Sequence, residues 1–445
     1  MDVPVAAGTR YMREVNTTAV LTLLRAADHT SAPELARQAG LSRQAVSRSL
    51  SGLREAGLVE FLAPMRSGAG SGRPARRVRF RAEAGHVLGA SVSPEGVRVG
   101  LADLSGTISA AHNAPLPGFE ERGAKAVARA LTDAARRVLA EARIEAGGVW
   151  HASIGVPGIV DPATGRVRFA PSMPGVTGDA LIRALGTAAG CEVYLDNDVK
   201  LATEGELWRG GEHRSMVLIH WGERVGAGIV AAGALHRGAT NDAGDLGYLD
   251  LFTDAPEPAR EEGDAPLGAF EAWTGTGAFA GLIREAARGR GDHALLTRPA
   301  EPGAETAAVV SAVLNEVPAA LVALEEITRR FAQGVGAVRA LLDPGVVVVG
   351  GPMARCGPAL SAALRTHLSR QRLDPPPLEL SRMGEDSVVQ GALRHSLDQV
   401  ERTRLRPPST TGRPDPVRQT RQPRRTPCPP GPPIHRPSVH ESTGP

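Results

Sequence analysis

Cysteine and lysine are scarce in this 445-residue chain, and it has no long apolar run. Three cysteines, Cys191, Cys356 and Cys428, stand far apart in sequence, which argues against a disulfide framework and fits a reducing compartment. Lysine occurs only at Lys125 and Lys200. Nearly every cation is therefore arginine, a bias that fits a GC-rich genome better than a specialised binding surface. Met1–Arg10 lacks the apolar core of a signal peptide, and no uninterrupted apolar stretch is long enough to span a bilayer. The expectation is a soluble, cytoplasmic protein.

What is present is enough hydrophobic content, 42%, for two or three globular units with sizeable cores. The net charge of +3 hides an asymmetry. Residues 1–84 hold 13 Arg against 7 acidic residues, and residues 401–445 hold 9 Arg against 3, so each end carries +6 and the middle carries −9. Basic ends around an acidic middle place any nucleic-acid contact at the ends. Composition divides the chain in the same way: a compact basic unit over 1–82, an α/β pattern over 85–397, and an Arg/Pro-rich stretch over 400–445. That stretch has 12 Pro between Pro407 and Pro445 and too little apolar surface to fold, so disorder is expected there.

The N-terminal unit reads as a winged helix-turn-helix. Thr17–Ala27 has a helical apolar pattern, Ser31 caps a helix over Ala32–Gln38, Gly40 supplies a tight turn, and Ser42 caps a third helix reaching about Ala56. On that helix Val46, Leu50 and Leu53 recur at helical spacing and should pack inward. The opposite face presents Gln44, Ser47, Arg48 and Ser51, with Ser42 and Arg43 at its N-terminal edge, a set suited to reading base edges in the major groove. Strand-like Leu58–Leu62, a Ser/Gly run with Arg73-Pro74, and Arg76–Phe80 form a wing whose Arg73 and Arg76 suit phosphate or minor-groove contacts. The plain alternative is a three-helix module with solvated arginines.

In the middle segment, Val87–Val92 and Val97–Asp103 read as one hairpin, and Met216–Trp221 and Gly226–Ala231 as another. Each opens an α/β half, as a duplicated actin-like fold would show.

At this point the residues resemble a family. Leu41-Ser42-Arg43-Gln44-Ala45-Val46-Ser47 and Gly72-Arg73-Pro74 are similar to the N-terminal domain of ROK-family repressors. Over residues 85–397 the resemblance continues in motif order. Gly155-Val156-Pro157-Gly158-Ile159-Val160-Asp161, with Gly165 and Ala170-Pro171, resembles the family's sugar-side loop. Asp196-Asn197-Asp198, with Ala202 and Glu204, resembles the turn carrying the catalytic aspartate, and Pro344 to Gly351 the strand and Gly-Gly turn beside adenosine. The resemblance implies a ribonuclease H-like, actin-like ATPase fold of two lobes, about 85–198 and 199–380, with a C-terminal helix returning.

The family's kinase chemistry needs glycine-rich turns that present N–H groups to phosphates, and an Asp base. Where its kinases read Asp-x-Gly-Gly-Thr, this chain has Ser91-Val92-Ser93-Pro94-Glu95. Pro94 offers no N–H and Glu95 repels phosphate. Where they read Gly-Thr-Gly-x-Gly, it has Gly222-Glu223-Arg224-Val225-Gly226. Asp198 keeps the place of the base, as a hydroxyl acceptor or a turn-stabilising residue; Asn197 either meets the same ligand or caps the following helix.

The zinc site implied by the resemblance needs one His and three Cys. Here the stretches read Gly244-Asp245-Leu246-Gly247-Tyr248 and Glu262-Gly263-Asp264-Ala265-Pro266-Leu267-Gly268-Ala269, so no zinc and no cofactor are expected. The same alignment places Ser172, Asp245, Tyr248 and Glu271 where the family touches sugar, alongside Asn197 and Asp198; these six form either a polar effector pocket or a packed relic. The leading reading is a repressor of carbohydrate-related genes, acting on double-stranded operator DNA as a homodimer or higher homo-oligomer and sensing a sugar-like effector. The alternatives are an active sugar kinase with an appended DNA-binding domain, and a constitutive DNA-binding protein whose middle domain only dimerises.

Overall fold

The computed structural model describes residues 9–63, 76–116, 119–211, 213–250, 267–288 and 303–405. The chain begins with α1 (Thr9–Arg25), β1 (Thr30–Ser31), α2 (Ala32–Ala39), α3 (Arg43–Glu55), β2 (Val59–Phe61) and β3 (Arg77–Phe80). Ser31 Oγ accepts from the Glu34 amide and Ser42 Oγ from the Ala45 amide, so each serine starts its helix by satisfying an orphan N–H. Between them Gly40 adopts φ 63°, a left-handed conformation that glycine takes without a Cβ penalty, and ends α2. Val46, Leu50 and Leu53 point inward as their spacing predicts, joined by Val20, Leu24, Leu35, Val78 and Phe80. Two details differ from the sequence reading. The first helix starts eight residues earlier, because nothing between Thr9 and Thr17 breaks it. The wing is also not a bare hairpin: β1 pairs with β3 on its other side, in the order β1-β3-β2.

The first lobe holds β4 (His86–Ser93), β5 (Gly96–Asp103), β6 (Ile108–Pro115), α4 (Phe119–Ala142), β7 (Val149–Val156), the short pair β8 (Ile159–Asp161) and β9 (Arg166–Phe169), α5 (Gly178–Ala189) and β10 (Val193–Asn197). The second holds α6 (Asp198–Gly210), β11 (Met216–Trp221), β12 (Val225–Ala231), β13 (Ala234–His236), α7 (Ala269–Thr274), α8 (Thr276–Arg288), α9 (Ala304–Leu314), α10 (Pro318–Leu342), β14 (Val347–Gly350), α11 (Gly357–Leu368) and β15 (Leu378–Leu380). The sheets run β6-β5-β4-β7-β10 and β13-β12-β11-β14-β15. In both, three strands meander antiparallel and two more join in parallel on the far side of the first. One topology used twice is the duplication that the two hairpins suggested, and the fold is the actin-like one expected.

The last helix, α12 (Ser387–Val400), returns from the second lobe across the molecule. Its Val388 and Ala392 pack with β11 and β14, while Leu393, Leu397 and Val400 complete the apolar core of the winged helix. The N-terminal unit therefore shares its core with the C-terminal helix. Among the described residues no single helix is long and apolar enough to cross a membrane.

Candidate functional site

Two surfaces gather the predicted residues. On α3, Arg43, Gln44, Ser47 and Arg48 are exposed on the face opposite the buried Val46 and Leu50. Arg48 donates from Nε to the Gln44 carbonyl at 3.4 Å, which lays its stem along the helix. Ser42, also exposed, holds the start of the helix through its hydroxyl. Arg76 stands at the base of the wing, its guanidinium 4.6 Å from the Phe61 ring centre, a cation–π contact that orients it. Arg73 lies outside the described residues, as do Glu262 and Asp264.

The second surface is a cleft of about 580 Å³ between the lobes. Ser172, Asn197, Asp198, Asp245, Tyr248 and Glu271 all line it, as do Pro94 and Glu95 of the first turn and Glu223 and Arg224 of the second. The residues placed there by alignment thus converge in space, with different local duties. Asn197 is the N-cap of α6: its Oδ1 accepts from the Lys200 amide, and its Nδ2 donates to the Gly158 carbonyl at 2.9 Å. Asp198 accepts at Oδ1 from the Val199 amide and from Asn197, while none of the described residues donates to its Oδ2. Burial raises its pKa, with the nearby imidazole of His220 pulling the other way, and burial lowers that of His220. Asp245 accepts no side-chain hydrogen bond from the described residues, and burial raises its pKa against the pull of Lys200. Tyr248 is exposed at the mouth, tilted against Phe169 with ring centres 6.4 Å apart, so two aromatic faces flank the entrance.

Glu271 differs from the others. It is 4% exposed, and its carboxylate accepts from the Val225 amide at 3.0 Å, the Gly268 amide at 3.0 Å and the Arg224 guanidinium at 3.1 Å. It therefore staples the second turn to the start of α7. That turn's Val225 N–H points at Glu271, and its Gly222 N–H donates to the Arg224 carbonyl. Sequence reasoning missed this use of Arg224, having read the position only as a lost glycine. It also missed His220, whose place on a buried strand gave no signal, and an ion-pair cluster at the cleft in which Glu385 accepts from Arg98 of β5 and from Arg355.

The chain matches the ROK family over residues 91–398 and the MarR family over residues 15–65. It belongs to the ROK family. This ROK protein is 24% identical over 244 residues to the DNA-binding transcriptional dual regulator NagC of Escherichia coli K12, covering 54% of this chain and 58% of NagC. It is 23% identical over 283 residues to a glucokinase of Halalkalibacterium halodurans, covering 62% of this chain and 84% of that enzyme. The chain spans little more than half the length of the curated repressors it matches. Among solved structures, a ROK family transcriptional regulator described as a homolog of the E. coli MLC protein superimposes with a TM-score of 0.67 at 18% identity, covering 87% of this chain and 96% of that one. That likeness shows the fold, with the winged helix and the two lobes together in one molecule.

Proposed function

We propose that this ROK protein is a cytoplasmic transcriptional regulator, a repressor of carbohydrate-related genes. In this reading it grips operator DNA through α3 and the wing as a homodimer, and its lobes bind a sugar-like effector without phosphorylating it. The observation that carries the reading is the exposed α3 face: Arg43, Gln44, Ser47 and Arg48 stand free of the core on a helix whose start is fixed by a serine cap. The relatives named as regulators support it. On the kinase side, Pro94 removes an N–H donor at one turn and Glu95 adds a negative charge there, and the Val225 N–H of the other is occupied by Glu271. A phosphoryl transition state needs such donors aimed at its developing charge. Asp198 still lines the sugar side of the cleft, which suits a hydroxyl acceptor.

The test pairs two measurements on the full chain. Fluorescence anisotropy at fixed salt, using duplexes from the region upstream of its own gene, should give competitor-resistant binding that one member of a sugar panel shifts; salt is held constant because phosphate contacts make affinity steeply salt-dependent. A coupled assay should find no sugar-dependent ATP turnover. Turnover above background would restore the kinase reading. Specific DNA binding indifferent to every sugar would instead favour lobes that only dimerise.

A further inference from the structure

The cleft and the DNA-facing helices share no residue, yet both end on α12. On the cleft side, the sugar-side loop is held by two amides: Asn197 Nδ2 donates to the Gly158 carbonyl, and Asn241 Nδ2 to the Val160 carbonyl at 2.8 Å. Asn241 also donates to Asp196 Oδ1 at 3.0 Å. Asp196 is fully buried, and its Oδ2 accepts from Tyr194 and from Arg237. The other arm of Arg237 donates to Glu204 on α6 at 3.2 Å, and Glu204 Oε2 accepts from His395 Nδ1 on α12 at 3.0 Å. Tyr194 stacks flat on the His395 ring, centres 3.9 Å apart. An unbroken charge-assisted chain therefore runs from the cleft loop to α12.

The two helices at its end are in direct backbone contact. A Cβ on Gly391 would lie 1.6 Å from the Leu201 carbonyl oxygen, and one on Gly205 would lie 2.8 Å from that of Ser387. With no side chain between them, α6 and α12 pack backbone to backbone, so a displacement of one presses directly on the other. Beyond that contact α12 gives Leu393, Leu397 and Val400 to the core of the winged helix, and the turn after it places Glu401 3.2 Å from Arg25 of α1. Arg25 Nε and Nη2 are buried and have no hydrogen-bond partner among the described residues, while the guanidinium also lies 5.3 Å from the Phe80 ring centre.

We infer that the welded α6–α12 pair, set in place by Asp196–Arg237–Glu204–His395 and clasped to α1 by Arg25–Glu401, couples the cleft to the DNA-binding unit. The inference deepens, and rests on, the regulator reading above. Coupling of two sites is reciprocal, so DNA serves as the probe while the effector is unidentified. Hydrogen exchange of the full-length protein is measured with and without a duplex that it retains from sheared genomic DNA. In the native chain the duplex slows exchange in α1–α3 and also, by about threefold or more, in residues 158–160 and 196–204. Glu204→Gln and His395→Gln keep the protection of α1–α3 and lose that of the cleft segments. Arg25→Met, which cuts the clasp at the other end and leaves the buried chain whole, loses it too and carries the test if the other variants fail to fold. Cleft amides indifferent to DNA in the native chain, or protected equally in the variants, overturn the inference. Failure to retain any duplex overturns the regulator reading instead.

Discussion

Glu271 has two assignments that differ in what a denaturation curve will read. If it were only an effector contact, its removal would leave the empty protein as stable as before or slightly more so. In the structure it is 4% exposed and accepts from two backbone amides and a guanidinium. Glu271→Ala would leave the amides of Val225 and Gly268 without their carboxylate acceptor and take one ion-pair partner from Arg224. Hydrogen bonds to a charged group contribute about 1.5–3 kcal/mol each, and breaking a buried ion pair from one side costs about 3–5 kcal/mol. The three overlap on one carboxylate and do not add, so the expected loss is about 4 kcal/mol. Glu271→Gln keeps one oxygen acceptor and should lose about half of that, roughly 2 kcal/mol. Urea unfolding followed by tryptophan emission, to which the buried Trp221 contributes beside Trp150, Trp208 and Trp273, reads the loss. Trp221 is fully buried in the same lobe, donates to the Thr274 carbonyl at 2.7 Å, and is stacked on Phe331. A loss below about 1 kcal/mol for the alanine variant would refute the stapling role.

Three further outcomes follow from the geometry. Arg48→Ala should weaken binding to a cognate duplex by about 1–3 kcal/mol and relax preference at one base pair; unchanged affinity in anisotropy would remove Arg48 from the reading face. Leu393→Ala, in the core shared by α12 and the winged helix, should cost about 2–5 kcal/mol in denaturant unfolding. His151 is buried against Ser396, and burial lowers its pKa from 6.5 to about 4. The unfolded chain then binds the extra proton first, so stability is intact above pH 6.5 and falls as pH drops toward 4, by about 3 kcal/mol in all. His151→Asn should flatten that limb of a stability-versus-pH series, and an unchanged slope would show that other groups carry it.

Local chemistry made much of this legible. Serine caps and one left-handed glycine marked α2 and α3 to within a residue or two, because a cap is a contact between neighbours in sequence. Alternating β-branched runs gave both opening hairpins. The six cleft residues were found by position in motifs, and they do line one cavity. What could not be read were contacts made over long separations. The core shared by Leu24 and Leu397, the staple from Glu271 to Val225, and the pair of Glu204 with His395 all depend on where distant elements come to rest. Asn197 shows the boundary well: its cap of Lys200 is local and was foreseen as one of two options, while its bond to the Gly158 carbonyl needed the fold.

The second turn also indicates how such a cleft can keep its shape without a nucleotide. In a phosphate-binding turn the amides stay open until a ligand arrives, and the cost of leaving them unpaired falls on the empty protein. Here Val225 and Gly222 already have acceptors inside the protein. Glu385, just before α12, binds Arg98 on the first lobe and Arg355 on the second, so charges of the chain itself span the mouth. A ligand of the cleft would compete with these internal contacts, and the groups it would meet without a side-chain hydrogen-bond donor among the described residues include Asp198 Oδ2 and the Asp245 carboxylate. Both line the cleft within a few residues of Asp196 and Asn241, where the buried chain to α12 begins.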